Sequence, residues 1–208
     1  MSKYRYTLAL AGALALTATL AACSTNSPSG SMTGMDHGTS GTATTDTSIT
    51  NTGPHNDADV TFAMDMIPHH QQAVEMADMI LAKDGIDADV IDLATRIKAA
   101  QDPEIITMTS WLSIWGEMMN SSDMSDMRTM GENGMMSSDD MNALDKATGD
   151  EATRLFLEGM TTHHKGAITM AQTEISDGEN PDAIELAKTI VEDQTAEIDE
   201  MSSLLRSL

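Results

Sequence analysis

The sequence predicts an all-α protein, a four-helix bundle made of two duplicated helical hairpins with a Met-rich connector. Two observations support this fold class. The 208 residues include only six aromatic side chains and four valines, which is too few for a β-rich core. In addition, a stretch that contains Phe, Met, His-His, Ala and Met occurs twice, at residues 62–77 and 156–171.

The repeat extends through a second helix in each half. At an offset of 94 the matching pairs are Phe62/Phe156, Met66/Met160, His69/His163, His70/His164, Ala73/Ala167, Met76/Met170 and Ala77/Ala171. At an offset of 93, Leu93, Ile97, Gln101, Glu104, Ile105, Met108 and Leu112 match Leu186, Ile190, Gln194, Glu197, Ile198, Met201 and Leu205. The change of offset places a one-residue insertion or deletion in the intervening turn. We interpret the repeat as a duplicated helix–turn–helix hairpin.

The turn residues agree with two hairpins. Gly85 and Gly178 are expected at the C′ positions that end the first helix of each hairpin. Asp87 and Asn180 are expected to cap the second helices, with Pro181 in the first helical position. Pro103 predicts a kink or a new first turn.

The N-terminal residues have the pattern of a targeting segment. Lys3 and Arg5 precede the apolar run 8–16, and residues 20–23 (Leu-Ala-Ala-Cys) match the bacterial lipoprotein processing box. We therefore expect a lipoprotein signal peptide at 1–22, with Cys23 as the lipid attachment site. An ordinary secretory signal with an incidental cysteine is the alternative. The predicted location is extracytoplasmic, anchored by lipid to the membrane of a bacterial cell envelope.

The remaining chain divides into a tether and a helical domain. Residues 23–57 are rich in Ser, Thr, Gly and Asn, so they should form a flexible tether. Residues 58–208 should form the bundle, with hairpins at 58–118 and 150–208. The connector at 119–149 should include a short amphipathic helix near 139–147.

Charge and cysteine content exclude several functions. The formal charge is −22, and it becomes −24 once the bases Lys3 and Arg5 are removed with the signal. This charge excludes nucleic acid as a partner. A single cysteine excludes a disulfide framework and a multi-cysteine zinc site. The expected partners are a metal ion and, through lipid, the membrane.

The duplicated motif is the main candidate metal site. At 100° per residue its side chains occupy one helix face about 120° wide, so imidazoles and thioethers should point into the bundle. Adjacent histidines diverge by about 100°, so we expect histidines from both repeats to converge. The predicted ligands are Met66, His69, His70, Met76, Met160, His163, His164 and Met170. Thioether and imidazole without thiolate favour copper, Cu(I) above all. The alternative is a packed core with histidines at its edge.

Two further methionine groups are weaker candidates. The connector has eight methionines in 24 residues: Met118, Met119, Met124, Met127, Met130, Met135, Met136 and Met141. They suit a labile Cu(I) or Ag(I) site, or they fold over the bundle and pack there. Met32, Met35 and His37 in the tether could also hold a soft cation, although a solvated linker is the simpler interpretation.

The duplicated Met-x-x-His-His-x-x-Ala-x-x-Met-Ala motif resembles the domain-of-unknown-function family three hundred and five. The segments Trp111–Gly116, Thr148–Leu157 and Gln194–Met201 are also similar to that family, and the resemblance covers about residues 57–208. It implies a ferritin-like helical bundle that is exported and often lipid-anchored. Some members are periplasmic copper-binding proteins of the CopM type, connected with copper tolerance.

Three functions remain open at this point. The first is an exported copper-binding lipoprotein for metal buffering, delivery or tolerance, and not an enzyme. The second is a ferritin-like di-iron oxidoreductase, which would need Glu-x-x-His pairs. The positions three before the four histidines are instead Met66, Ile67, Met160 and Thr161. The third is an acidic interaction scaffold without metal.

The lipoprotein interpretation makes one direct prediction. Cys23→Ser should release the protein from membranes, because it removes the only acylation site while leaving the helical domain unchanged. Membrane fractionation of a bacterial host that expresses either form measures this. If the variant stayed with the membranes as the parent does, the lipid anchor would be wrong.

Overall fold

The computed structural model describes residues 53–117 and 132–208, and these residues form five α-helices and no strand. The helices are α1 (Asp57–Leu81), α2 (Ala88–Trp115), α3 (Ser138–Lys146), α4 (Gly149–Asp177) and α5 (Pro181–Leu205), with a 3-10 turn at Glu132–Gly134. The predicted all-α class is confirmed. The predicted signal peptide, Cys23, almost all of the tether, residue 118 of the first predicted hairpin and connector residues 119–131 lie outside the described residues.

Two hairpins pack against each other through their first helices. α1 packs on α2 and α4 packs on α5, while α1 also packs along α4. All eight apolar and histidine positions that the helical wheel assigns to the inner face of α1 are buried: Phe62, Met66, His69, His70, Ala73, Met76, Ala77 and Ile80. The core has one apolar cluster around Met76 and Phe156, and another around Phe62 and Trp111. The histidine pairs lie on α1 and α4, the two helices that join the hairpins.

The caps of the second helices agree with the sequence. Asp87 accepts a hydrogen bond from the N–H of Asp89, and Asn180 accepts from the N–H groups of Asp182 and Ala183. Pro181 is the first residue of α5. Asn56 starts α1 with a reciprocal capping box. These bonds satisfy N–H groups that have no partner within the helix.

The prediction that Gly85 and Gly178 are left-handed C′ residues at the helix ends is wrong. Gly85 has a φ of +76°, but α1 ends at the C-cap Ala82, so this glycine shapes the turn rather than the helix end. Gly178 has a φ of −67° and needs no left-handed conformation. A Cβ on Gly178 would lie 2.3 Å from a carboxyl oxygen of Glu174 and 2.7 Å from the backbone carbonyl oxygen of the same residue, so space favours glycine there.

Pro103 does not begin a new helix. α2 runs through it as one helix from Ala88 to Trp115. Proline removes the hydrogen bond to the carbonyl four residues earlier, which belongs to Ala99. Ala99 is exposed, so water can satisfy that carbonyl and the helix can continue.

A buried pair of carboxyl groups holds α1 against the α4–α5 turn. Asp59 and Glu174 are 0% and 1% exposed. Burial alone would raise the pKa of Asp59, but hydrogen bonds from Glu174 and from the N–H groups of Asn56, Asn180 and Glu179 lower it. Burial, together with the hydrogen bond to Asp59 and the nearby negative charge, raises the pKa of Glu174 to about 8. The pair therefore shares one proton at neutral pH.

No helix within residues 53–117 and 132–208 is both long enough and apolar enough to cross a bilayer.

The shared proton predicts how stability changes with pH. The raised pKa of Glu174 contributes stability that is complete below its usual value of 4.5 and is lost as pH rises to about 8. The limiting slope is about 1.4 kcal/mol per pH unit. Glu174→Gln keeps a donor to Asp59 and should remove this slope from the free energy of unfolding, measured by urea denaturation between pH 5 and 9. The exposed Glu192→Gln is the control, and an unchanged slope in Glu174→Gln would contradict the shared proton.

Candidate metal centre

The four histidines of the duplicated motif meet in the interior. His69, His70, His163 and His164 are each 0% or 1% exposed. The rings of His69 and His163 lie with centroids 3.6 Å apart and planes at 36°. The centroids of neighbouring histidines on one helix are 6.5 Å apart on α1 and 6.3 Å apart on α4. The first histidine of each repeat therefore lies closer to its counterpart than to its own neighbour.

The second histidine of each repeat contacts a glutamate of its own hairpin. His70 Nε2 lies 2.7 Å from a carboxylate oxygen of Glu104 on α2. His164 Nε2 lies 2.7 Å from a carboxylate oxygen of Glu197 on α5. The two contacts are repeat-related copies of one interaction. The glutamate side chains are only 16% and 13% exposed, so they form the outer boundary of the same polar cluster.

The first histidine of α1 contacts the connector instead. His69 Nε2 lies 2.9 Å from the backbone carbonyl oxygen of Asn133. Carbonyl and carboxylate oxygens only accept hydrogen bonds, so these three contacts require the proton on Nε2 of His69, His70 and His164. In a neutral ring with its proton on Nε2, the lone pair is on Nδ1. A carboxylate or carbonyl on the far nitrogen is the arrangement that orients metal-binding histidines.

Several ring nitrogens of the cluster are buried without a hydrogen bond. Nδ1 of all four histidines, and also Nε2 of His163, have no partner within the described residues. A buried polar atom without a partner costs free energy, so each such group in a folded protein needs an explanation. A metal ion that accepts the Nδ1 lone pairs would satisfy them.

Burial keeps the central pair uncharged. It lowers the pKa of His69 to about 3, with the nearby His70 adding to the effect. Burial and the nearby His69 lower the pKa of His163 well below its usual range. Both rings are therefore neutral at physiological pH and available as ligands without loss of a proton.

The predicted methionine ligands lie on both sides of the histidines. Met66, Met76 and Met160 are fully buried, whereas Met170 is partly buried. Met76 and Met160 belong to one apolar cluster, and Met66 and Met170 lie in or against the other. Because α1 and α4 are antiparallel, each side has one methionine from each helix. The structure therefore places two of the four predicted methionine ligands in or against each of the two apolar clusters.

The predicted donors are imidazole nitrogens and thioether sulfurs. Within residues 53–117 and 132–208, no group of three or more His, Cys, Asp and Glu side chains is arranged to hold a metal. Imidazole is a ligand for copper, zinc and iron alike, whereas thioether is a soft ligand that suits copper.

The connector lies over the histidines and is held there by close backbone contacts. The amide of Gln72 donates to the carbonyl of Met136 at 3.0 Å and accepts from its N–H at 2.7 Å. A Cβ on Gly166 would lie 1.4 Å from the Asn133 carbonyl oxygen, so only glycine allows this approach. These contacts hold the Asn133 carbonyl in place for His69.

The other candidate donors have different outcomes. Met32, Met35, His37 and the connector methionines 118, 119, 124, 127 and 130 lie outside the described residues. Met135, Met136 and Met141 are described and partly buried. His55 stacks on Trp115 with centroids 4.7 Å apart. The short helix predicted in the connector is present as α3.

The hydrogen-bond partners of the histidines could not be predicted from the sequence. Glu104 and Glu197 are in the duplicated pattern, as the acidic members of a matched set that is otherwise mostly apolar, but their contact with the histidines depends on how α1 meets α2. A repeated acid on a buried face was the available indication. Asn133 contributes only a backbone carbonyl, for which the sequence has no indication.

Comparison with known proteins places this helical, histidine-centred chain in a family. The model of the family described as domain of unknown function (DUF305) matches residues 59–205. The chain belongs to this family. No curated protein matches it significantly.

Solved structures of the same family are similar over most of the chain. A DUF305 fragment from Deinococcus radiodurans is 28% identical, with a TM-score of 0.64 over 75% of this chain and 100% of that one. A DUF305 protein from Streptomyces coelicolor is 34% identical, with a TM-score of 0.65 over 72% and 93%. CopM in its Cu(I)-bound form is 28% identical, with a TM-score of 0.58 over 72% and 96%. CopM has also been solved with Cu(II) and with silver.

Proposed function

We propose that this protein is an exported copper-binding lipoprotein that buffers or delivers copper outside the cytoplasm and so supports copper tolerance. The single observation that supports this most strongly is the pair of neutral, fully buried imidazoles, His69 and His163, whose rings come from equivalent positions of the two repeats. The similarity to CopM, which binds Cu(I), Cu(II) and silver, agrees with it.

Cu(I) is the ion that the chemistry favours. The cluster offers imidazole nitrogens and, from Met66 and Met160 one turn earlier on each helix, thioether sulfurs. Thioethers are poor ligands for hard ions, and zinc sites use imidazole, thiolate and carboxylate. Glu104 and Glu197 lie at hydrogen-bond distance from Nε2 of His70 and His164 and would fix the orientation of these two rings beside the central pair. Removing such an orienting partner typically weakens a metal site by 10- to 100-fold.

The protein is proposed to bind metal without catalysing a reaction. A di-iron oxidoreductase needs carboxylates that bridge two irons. The two glutamates nearest the histidines accept hydrogen bonds from Nε2, which makes them orienting groups. Asp59 lies in the first turn of α1, away from the histidines, and its carboxylate accepts hydrogen bonds from the N–H groups of Asn56, Glu179 and Asn180. The acidic surface is then a solvated face rather than an interaction scaffold.

Two finer features complete the proposal. The helical hairpins are proposed to form the ferritin-like four-helix bundle, with α1, α2, α4 and α5 as its helices and α3 in the connector. Export and lipid attachment through Cys23 rest on the N-terminal sequence pattern. Together they place the copper site on the outer side of a bacterial membrane, at the end of a tether of about 35 residues.

The central prediction is that both repeats are needed for one site. Replacing His69 and His70 with Ala should weaken Cu(I) binding about 100-fold or more, and replacing His163 and His164 should do the same, because the ligands act as one unit. The quadruple variant should lose little beyond either double variant. A Cu(I) competition titration against a chelator of known affinity, with Fe(II) and Zn(II) as comparison ions, measures this.

His55→Ala is the matched control, since His55 lies outside the motif and stacks on Trp115. It should bind as the parent does. Far-ultraviolet circular dichroism of each variant reports whether the helices remain intact. If the quadruple variant kept tight Cu(I) stoichiometry, the histidines would not be the copper site. Preference for Fe(II) over Cu(I) would favour the di-iron alternative.

A further inference from the structure

A methionine-lined groove lies outside the histidine motif. A cavity of about 310 Å³ is open to solvent between α1, the connector and α3, and its lining includes Met79, Met136 and Met141 together with Glu75 and Asp145. The three methionines are partly buried and pack on the edge of the apolar cluster around Met76. Each comes from a different segment of the chain, so the fold brings them together.

The structure fixes the position of Met136. Gln72 holds its backbone through two hydrogen bonds, of 3.0 Å and 2.7 Å. A Cβ on Gly159 would lie 2.7 Å from the Met136 sulfur and 3.3 Å from the terminal methyl of Met76. Glycine at 159 therefore makes room for this sulfur beside Met76. The Met136 sulfur and the terminal methyl of Met76 thus border the same space above Gly159.

In the part of the chain that the structure describes, the repeat-related face of α4 does not carry the side chains that line this groove. At the offset of 94, Gln72, Glu75 and Met79 correspond to Gly166, Thr169 and Thr173. The cavity of about 400 Å³ that includes Thr169 and Thr173 has one methionine, Met170, in its lining. The methionines that recur in both repeats are accounted for by the shared histidine cluster. Met79, Met136 and Met141 do not recur, so the presence of methionine at these three positions needs a separate explanation.

We propose that Met79, Met136 and Met141 form a second site for a monovalent soft cation, Cu(I) or Ag(I). Three thioethers satisfy the low coordination number of such an ion, and they exclude hard divalent ions. Glu75 and Asp145 add negative charge at the opening, which raises the local concentration of a cation. This inference rests on the proposed function only for the identity of the metal, because none of the three ligands belongs to the histidine site.

Silver titration with methionine methyl labelling tests the site. The chain without its signal peptide, labelled with ¹³C at the methionine methyl groups, is titrated with silver nitrate in halide-free buffer. The methyl resonances of Met79, Met136 and Met141 should shift together at one added equivalent for this site. The variant with all three changed to Leu should bind one equivalent less, while the equivalent bound by the histidines keeps its affinity within about twofold.

The variant with Met108→Leu and Met201→Leu is the matched control, because these two buried methionines are repeat-related and lie outside the groove. It should keep full silver capacity. If the parent's three methyl resonances stayed in place, or the triple variant kept full capacity, the second site would be wrong. Shifts of these methyls in the quadruple histidine variant would support it even if the histidines bound no metal, so the two proposals fail separately.

Discussion

The fold depends on how it satisfies imidazole nitrogens that it has buried completely. Four histidines lie in the interior of a helical protein, where an unpaired polar atom is costly. Three of them donate from Nε2, to Glu104, to Glu197 and to the carbonyl of Asn133. These acceptors come from α2, α5 and the connector. The need to satisfy the buried Nε2–H groups therefore fixes how α1 and α4 pack against the rest of the structure. It also leaves the Nδ1 atoms buried without a hydrogen-bond partner in the described part of the chain, so they are available to a metal ion.

The two ends of the molecule use the duplication differently. Asp59 and Glu174 correspond to Thr153 and Ile80 at the offset of 94, so the carboxyl pair is present at one end only. The described part of the connector packs on the face of α1 that contains Gln72. The residue that corresponds to Gln72 in the second repeat is Gly166. The amide of Gln72 binds the connector to α1, and Gly166 leaves room for the connector to pass close to α4. The histidine cluster is shared, whereas the features around it are not, and the methionine groove lies on the connector side.

The inner face of α1 could be predicted because periodicity alone decides which side chains a helix buries. For the same reason, the meeting of His69 with His163 followed from two copies of one motif. The contacts of His70 with Glu104 and of His164 with Glu197 could not, since they depend on the register between packed helices. The contact between Asp59 and Glu174 could not be predicted either, because an acidic residue in a helix is normally at the surface. The role of Gly178 depended on that hidden pair, which is why a helix-capping glycine was expected there instead.

The proton positions on the four histidines provide the most direct test of the proposed metal centre. Long-range ¹H–¹⁵N correlation spectra of the metal-free protein at pH 7 distinguish the two neutral tautomers from the charged ring. We expect His69, His70 and His164 to carry a proton on Nε2, and added Cu(I) to change the Nδ1 resonances of the cluster while these protons remain. Protons on Nδ1 in the metal-free protein, or Nδ1 resonances that Cu(I) leaves unchanged, would contradict this expectation.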